Sequence, residues 1–92
     1  MNSLDLKKKA VQLRKRTWQL IYNHKNGHTG SDLSCADILV ALYYNVLNQT
    51  PETFEDKNAD TYIQSKGHAV EIWYESLADK GYIDQEDLDK RY

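Results

Sequence analysis

From Leu4 to about Asn23, the apolar residues Leu6, Ala10, Leu13, Leu20 and Ile21, with Val11 and Trp18 beside them, recur near the helical period, while Lys7, Lys8, Lys9, Arg14, Lys15 and Arg16 fill the positions between. The pattern predicts an amphipathic helix with a basic outer face. It breaks at Asn23-His24-Lys25-Asn26-Gly27-His28-Thr29-Gly30-Ser31-Asp32, which has neither helical nor alternating periodicity and reads as an ordered loop. Ser34 and Asp37 then stand at the spacing of a capping box, ahead of Ile38, Leu39, Leu42, Tyr43 and Val46, which predicts a second helix from about Cys35 to Leu47. Asn48 to Ala59, with the only proline at Pro51, has the composition of a surface connection.

The period shortens after that connection. Asp60-Thr61-Tyr62-Ile63-Gln64 is a short β-prone run, with Tyr62 and Ile63 the candidate strand, and Ser65-Lys66-Gly67-His68 interrupts it. Helical spacing returns at Ala69, Ile72, Trp73, Ser76 and Leu77 and stops at Lys80-Gly81, where a cation and a glycine suit a helix carboxyl end. Asp84 and Asp87 open a fourth helix. One short strand makes no sheet by itself, so the strand needs partners from outside these residues.

At 92 residues, 40% hydrophobic and 28% charged, the chain fits one small soluble domain with a modest core. A single cysteine, Cys35, excludes an intrachain disulfide, and no array of Cys and His matches a structural zinc site. A reducing, cytoplasmic setting is the expectation. No signal-peptide pattern or membrane-length apolar run is present, so no membrane association is expected. The net charge of −2 conceals an asymmetry of +4 over residues 1–50 against −6 over 51–92. Halves that attract one another explain this better than a nucleic-acid patch does, and no nucleic-acid partner is expected.

The polar residues that could carry chemistry are His24, His28, His68, Cys35, Lys66 and the loop glycines. His24 and His28 have the i, i+4 separation of a helical metal pair, but Gly27 and Gly30 oppose a helix through them, and no metal site is expected. His24 suits a capping role at a helix carboxyl end. Gly27-His28-Thr29-Gly30 fits either a tight turn with a solvent-facing imidazole or a backbone that approaches a ligand. Ser65-Lys66-Gly67-His68-Ala69 joins a strand to a helix, where α/β proteins place anion-binding amides, although Lys66 also reads as an ordinary solvated lysine.

Together these two stretches resemble a known pattern. Gly27 to Ile38, GHTGSDLSCADI, is similar to the GHPGGSLSAADI segment of transketolases, and Asp60 to Ala69, DTYIQSKGHA, is similar to their strand and SKGHA segment. The helix LVALYYNVL between them, the basic helix before and Leu77 to Tyr82 after also fit, so the resemblance covers nearly the whole chain. It implies an α/β fold: residues 1–92 are the amino-terminal, mostly helical portion of a three-layer thiamine-diphosphate-binding domain, incomplete in this chain. By motif position it places His28 against the ketose substrate, and His68 with Gly67 against the cofactor diphosphate, with His28 and His68 as the catalytic candidates. The activity implied is transfer of a two-carbon ketol unit from a ketose to an aldose, with thiamine diphosphate and Mg2+ as cofactors and sugar phosphates as substrates.

The resemblance also implies what must come from elsewhere. The GDG motif and downstream asparagine that hold the metal, and the pyrimidine-binding domain with its activating glutamate, are not in residues 1–92. The expectation is therefore a chain inactive alone, which works with a carboxyl-terminal transketolase half or second subunit in a homo- or hetero-oligomer. The alternative is a noncatalytic remnant or helical interaction module of the same fold. Thr29 stands at the family's proline and Ser31-Asp32 at its Gly-Ser. These departures predict an added carboxylate near the substrate site, which would disfavour sugar phosphates.

Overall fold

In a computed structural model, the chain is described over residues 2–25, 27 and 29–91, the Arg91 side chain apart. Helix α1 runs Ser3–His24. The Asn2 side chain accepts from the Asp5 amide at its start, and Lys25, in the left-handed region, returns its own amide to the Ile21 carbonyl at its end. The inward stripe is Ala10, Leu13, Thr17 and Leu20, all buried. Val11 and Trp18 do not join it: both face outward, Trp18 stacking on Tyr22 with ring centroids 5.4 Å apart.

The segment expected to be a loop contains a six-residue helix, α2, over Thr29–Ser34. No apolar period marks it because tertiary hydrogen bonds, described below, hold it in place. The predicted second helix divides into α3, Ala36–Ala41, and a π-helical turn over Leu42–Val46 in which the Leu47 amide reaches back five residues to the Leu42 carbonyl at 2.8 Å. The capping box is not formed. Ser34 belongs to the last turn of α2 and donates to the Ser31 carbonyl, and Asp37 pairs with Arg14 of α1 at 2.9 Å.

Residues 60–66 have no regular secondary structure and, among the described residues, no strand is present. A lone β-prone segment has no neighbour to complete its ladder. A short 3₁₀ turn at Gly67–Ala69 leads into α4, Val70–Asp79. Its carboxyl end follows the Schellman pattern: the Tyr82 amide donates to the Leu77 carbonyl and the Gly81 amide to that of Ala78, with Gly81 at φ +89°. Asp84 caps α5, Gln85–Arg91, by accepting from the Glu86 and Asp87 amides.

The core lies where α1, α3 and α4 meet and consists of Ala10, Leu13, Ala36, Leu39, Val40, Tyr43, Ala69 and Ile72. Trp73 donates its indole N–H to the Tyr43 hydroxyl at 3.0 Å, so an aromatic layer is also polar-satisfied. The charge asymmetry resolves at Asp79 of α4. It accepts from Arg16 at 2.7 Å and Lys9 at 3.1 Å, both on α1, and from the Tyr44 hydroxyl. The basic first half and acidic second half are thus joined through a largely buried carboxylate. No helix among the described residues is long and apolar enough to cross a membrane.

Candidate functional site

Two segments singled out in the sequence, around Gly27–Gly30 and Ser65–His68, are brought together by α2 and the start of α4. The link has two parts. Lys66 Nζ donates to Ser34 Oγ at 2.9 Å and to the Ser31 carbonyl at 3.3 Å, and so fastens the SKGH segment to α2. Asp32 Oδ1 accepts from the Ile72 amide at 2.9 Å, and so fastens α2 to the first turn of α4. Lys66 is therefore a strap between the two segments rather than a free solvated cation.

Asp32 corrects an expectation. Its side chain is 0% exposed and points into the protein, so it adds no carboxylate to an outward-facing substrate site. A carboxylate at the amino end of α4 is favoured there by the free amides and by the helix dipole. Glu71 lies beside it, 3% exposed. Burial is the main reason that Glu71 is raised from the usual carboxylate range to about 7, and the neighbouring Asp32 carboxyl is the second.

Gly27 completes this corner. It takes φ +131°, and a Cβ on it would stand 2.8 Å from Ile21 Cγ1 and 3.2 Å from Glu71 Cδ. The first glycine of GHTG is thus required by packing over Glu71 as well as by its backbone conformation. Gly30, within α2, would meet nothing within 4 Å.

His28 lies outside the described residues. His68 is exposed, on the 3₁₀ turn, next to Gly67, whose α-carbon faces open space. His24, the last residue of α1, donates through Nε2 to the Asp89 carbonyl at 2.8 Å and so ties α1 to α5. Cys35 is partly buried, with its thiol raised by that burial despite Lys66 nearby, and it serves as a packing residue beside the core. Among the described residues, no three His, Cys, Asp or Glu side chains gather to hold a metal.

These positions decide what a diphosphate would meet. At the helix end expected to offer amides, the Ile72 amide is already given to the buried Asp32 carboxyl. The Ser65–His68 turn before it is exposed, and a Cβ on its Gly67 would meet nothing within 4 Å. A cavity of about 480 Å³ between α1, α4 and α5 is lined by Arg16, His24, Glu75 and Gln85 among others and includes neither motif.

Sequence reasoning missed Asp32 and Glu71 as a pair. A usable signal was present: Glu71 and Glu75 stand one helical turn apart on α4, and neither has a cation three or four residues away in the same helix.

Residues 6–91 match the family profile described as transketolase, thiamine diphosphate binding domain. The chain is 41% identical over 76 residues to an apulose-4-phosphate transketolase subunit of Phocaeicola vulgatus, covering 83% of this chain and 27% of that protein. It is 43% identical over 83 residues to the protein of the same name from Actinobacillus succinogenes, covering 89% and 30%. A 6-deoxy-6-sulfo-D-fructose transketolase subunit of Clostridium sp. is 36% identical over 86 residues, covering 94% and 31%. The chain spans less than a third of the length of these curated relatives. With the family profile matched across both joined motif segments, the chain belongs to the transketolase family, in its thiamine-diphosphate-binding domain.

Proposed function

We propose that residues 1–92 supply two loops of a transketolase active site, in a protein that transfers a two-carbon ketol unit from a ketose to an aldose. The observation that carries this reading is the double link from α2, through Lys66 to the SKGH segment and through Asp32 to the start of α4. His68 and Gly67 form the cofactor-facing turn: the imidazole is a hydrogen-bond partner for the diphosphate, and the glycine lets the backbone approach it. His28, beside Gly27, is assigned to the hydroxyls of the ketose. Bound thiamine diphosphate supplies the electron sink for cleavage and formation of the carbon–carbon bond, while the protein orients the substrate and moves protons.

The full domain is a three-layer α/β unit in which residues 60–66 become a strand once further sequence provides its neighbours. The Mg2+ that accompanies the diphosphate takes its ligands from that further sequence, and the chain alone is inactive. Relatives named as transketolase subunits support a partner subunit that completes the site, with sugar phosphates as the substrate class. A cytoplasmic location suits both its free thiol and its proposed chemistry.

The test is a two-carbon transfer assay on the complete enzyme with the partner subunit present. His28→Ala is expected to lower turnover with ketose by about 10²-fold or more, with the cofactor still bound, as for loss of a positioned polar contact in the transition state. Unchanged steady-state kinetics in that variant would remove His28 from the substrate site.

A further inference from the structure

Asp32 and Glu71 come from different helices and meet in the interior. Asp32 Oδ1 is satisfied by the Ile72 amide, but Asp32 Oδ2 and Glu71 Oε1 are both buried and neither meets a donor. Two ionised carboxyls in that position would leave two acceptors unpaired and two like charges in contact, each costly away from water. A proton held between them removes both penalties, because one carboxyl then donates to the other. We propose that Asp32 and Glu71 share one proton and act together as positioning residues that lock α2 to the start of α4. The Glu71 carboxyl also lies close enough to Gly27 that a Cβ there would stand 3.2 Å from it, so the same proton steadies the packing at Gly27.

The surroundings support a proton rather than a cation as the bridging species. From α1, the aliphatic side chain of Ile21 borders the same face of Gly27 as the Glu71 carboxyl. Arg14, also on α1, is taken by the Leu33 carbonyl and Asp37. Lys66 is taken by Ser31 and Ser34, and its charge reaches Cys35 rather than Glu71. Further along α4, Glu75 accepts from Gln85. Asp32 is thus the charged group that acts on Glu71. As pH rises through neutrality, one proton leaves the pair for solvent, two carboxylates face each other, and the contact between α2 and α4 loosens.

That the joined segments serve cofactor and substrate rests on the function proposed above, whereas the shared proton is read without any cofactor. Carboxyl carbon-13 NMR of the glutamate-labelled chain, titrated from pH 4 to 9, follows it directly. The expected result is one glutamate carboxyl with a midpoint near 7 that disappears in Glu71→Gln. Asp32→Asn, which keeps an acceptor for the Ile72 amide and turns an amide donor toward Glu71, is expected to lower that midpoint by at least about one unit. Titration of every glutamate below pH 5.5 in the unaltered chain would overturn the proposal, and so would a midpoint that Asp32→Asn leaves in place. Transfer activity enters none of these readouts, so the shared proton and the catalytic reading fail separately.

Discussion

Residues 60–66 and helix α4 are neighbours in the chain and contribute to the same corner, yet they depend on different things. Val70–Asp79 closes its own backbone ladder, buries Ile72 and Ser76 and finishes in a Schellman turn. The irregular segment before it anchors one side only. Tyr62 packs between Tyr43 and Trp73, with ring centroids 5.6 Å from each, whereas Ile63 is 80% exposed. Its ends are tied by the Asp60 amide to the Asn48 carbonyl and by the Gln64 side chain to the carbonyls of Lys66 and Ala69, not by strand pairing. A helix needs a neighbour for one stripe of side chains, but a strand needs neighbours for its backbone as well.

Four substitutions or titrations bear on that contrast. The largest effect belongs to Ile72→Ala, which opens a cavity in the core and is expected to cost about 2–5 kcal/mol, against no more than about 0.5 kcal/mol for Ile63→Ala, as measured by urea unfolding. Equal costs would show that residues 60–66 are as integral to the fold as α4. Asp32→Ala comes next. It strands the buried Ile72 amide and is expected to cost about 1–3 kcal/mol, most of it recovered in Asp32→Asn, and a silent Asp32→Ala would break the proposed frame around the motifs.

The pH dependence has a defined sign. Glu71 stands at about 7 in the folded chain against an ordinary 4.5, so it contributes stability that is complete below about pH 4.5, declines as pH rises and is gone above about 7. Glu75, also raised by burial, acts in the same direction. The thermal midpoint is therefore expected to fall between pH 5 and 8 by roughly 5–10 °C, and Glu71→Gln to remove at least half of the fall. An identical slope in both proteins would assign the effect elsewhere. The smallest change is Lys66→Met, which removes a partly solvated strap and is expected to cost about 1 kcal/mol, with faster amide exchange in α2 than in α4.

Much of this architecture was legible in the sequence. The 3.6-residue spacing of Ala10, Leu13 and Leu20 gave α1, and Lys80-Gly81 and Asp84 marked the boundaries of the last two helices. The order of GHTG and SKGH pointed to the family that residues 6–91 match. What escaped was decided by distant contacts. Ser34 and Asp37 had the spacing of a cap, but Lys66 and Arg14 claimed them from elsewhere in the chain. Asp32 looked like a surface carboxylate because nothing local announces that the Ile72 amide, forty residues on, is its partner. The strand at Tyr62 and Ile63 had the right composition, and composition does not supply the strands on either side.

The central claim is that the corner built by α2 and the SKGH turn belongs to a thiamine-diphosphate site completed by further sequence. Calorimetric titration with thiamine diphosphate and Mg2+, on the complete subunit together with its partner, tests it most directly. Saturable, magnesium-dependent binding is expected, weakened about 10- to 100-fold by His68→Ala, the worth of one charge-assisted hydrogen bond. Equal affinity for both proteins would contradict the assignment of this turn to the cofactor.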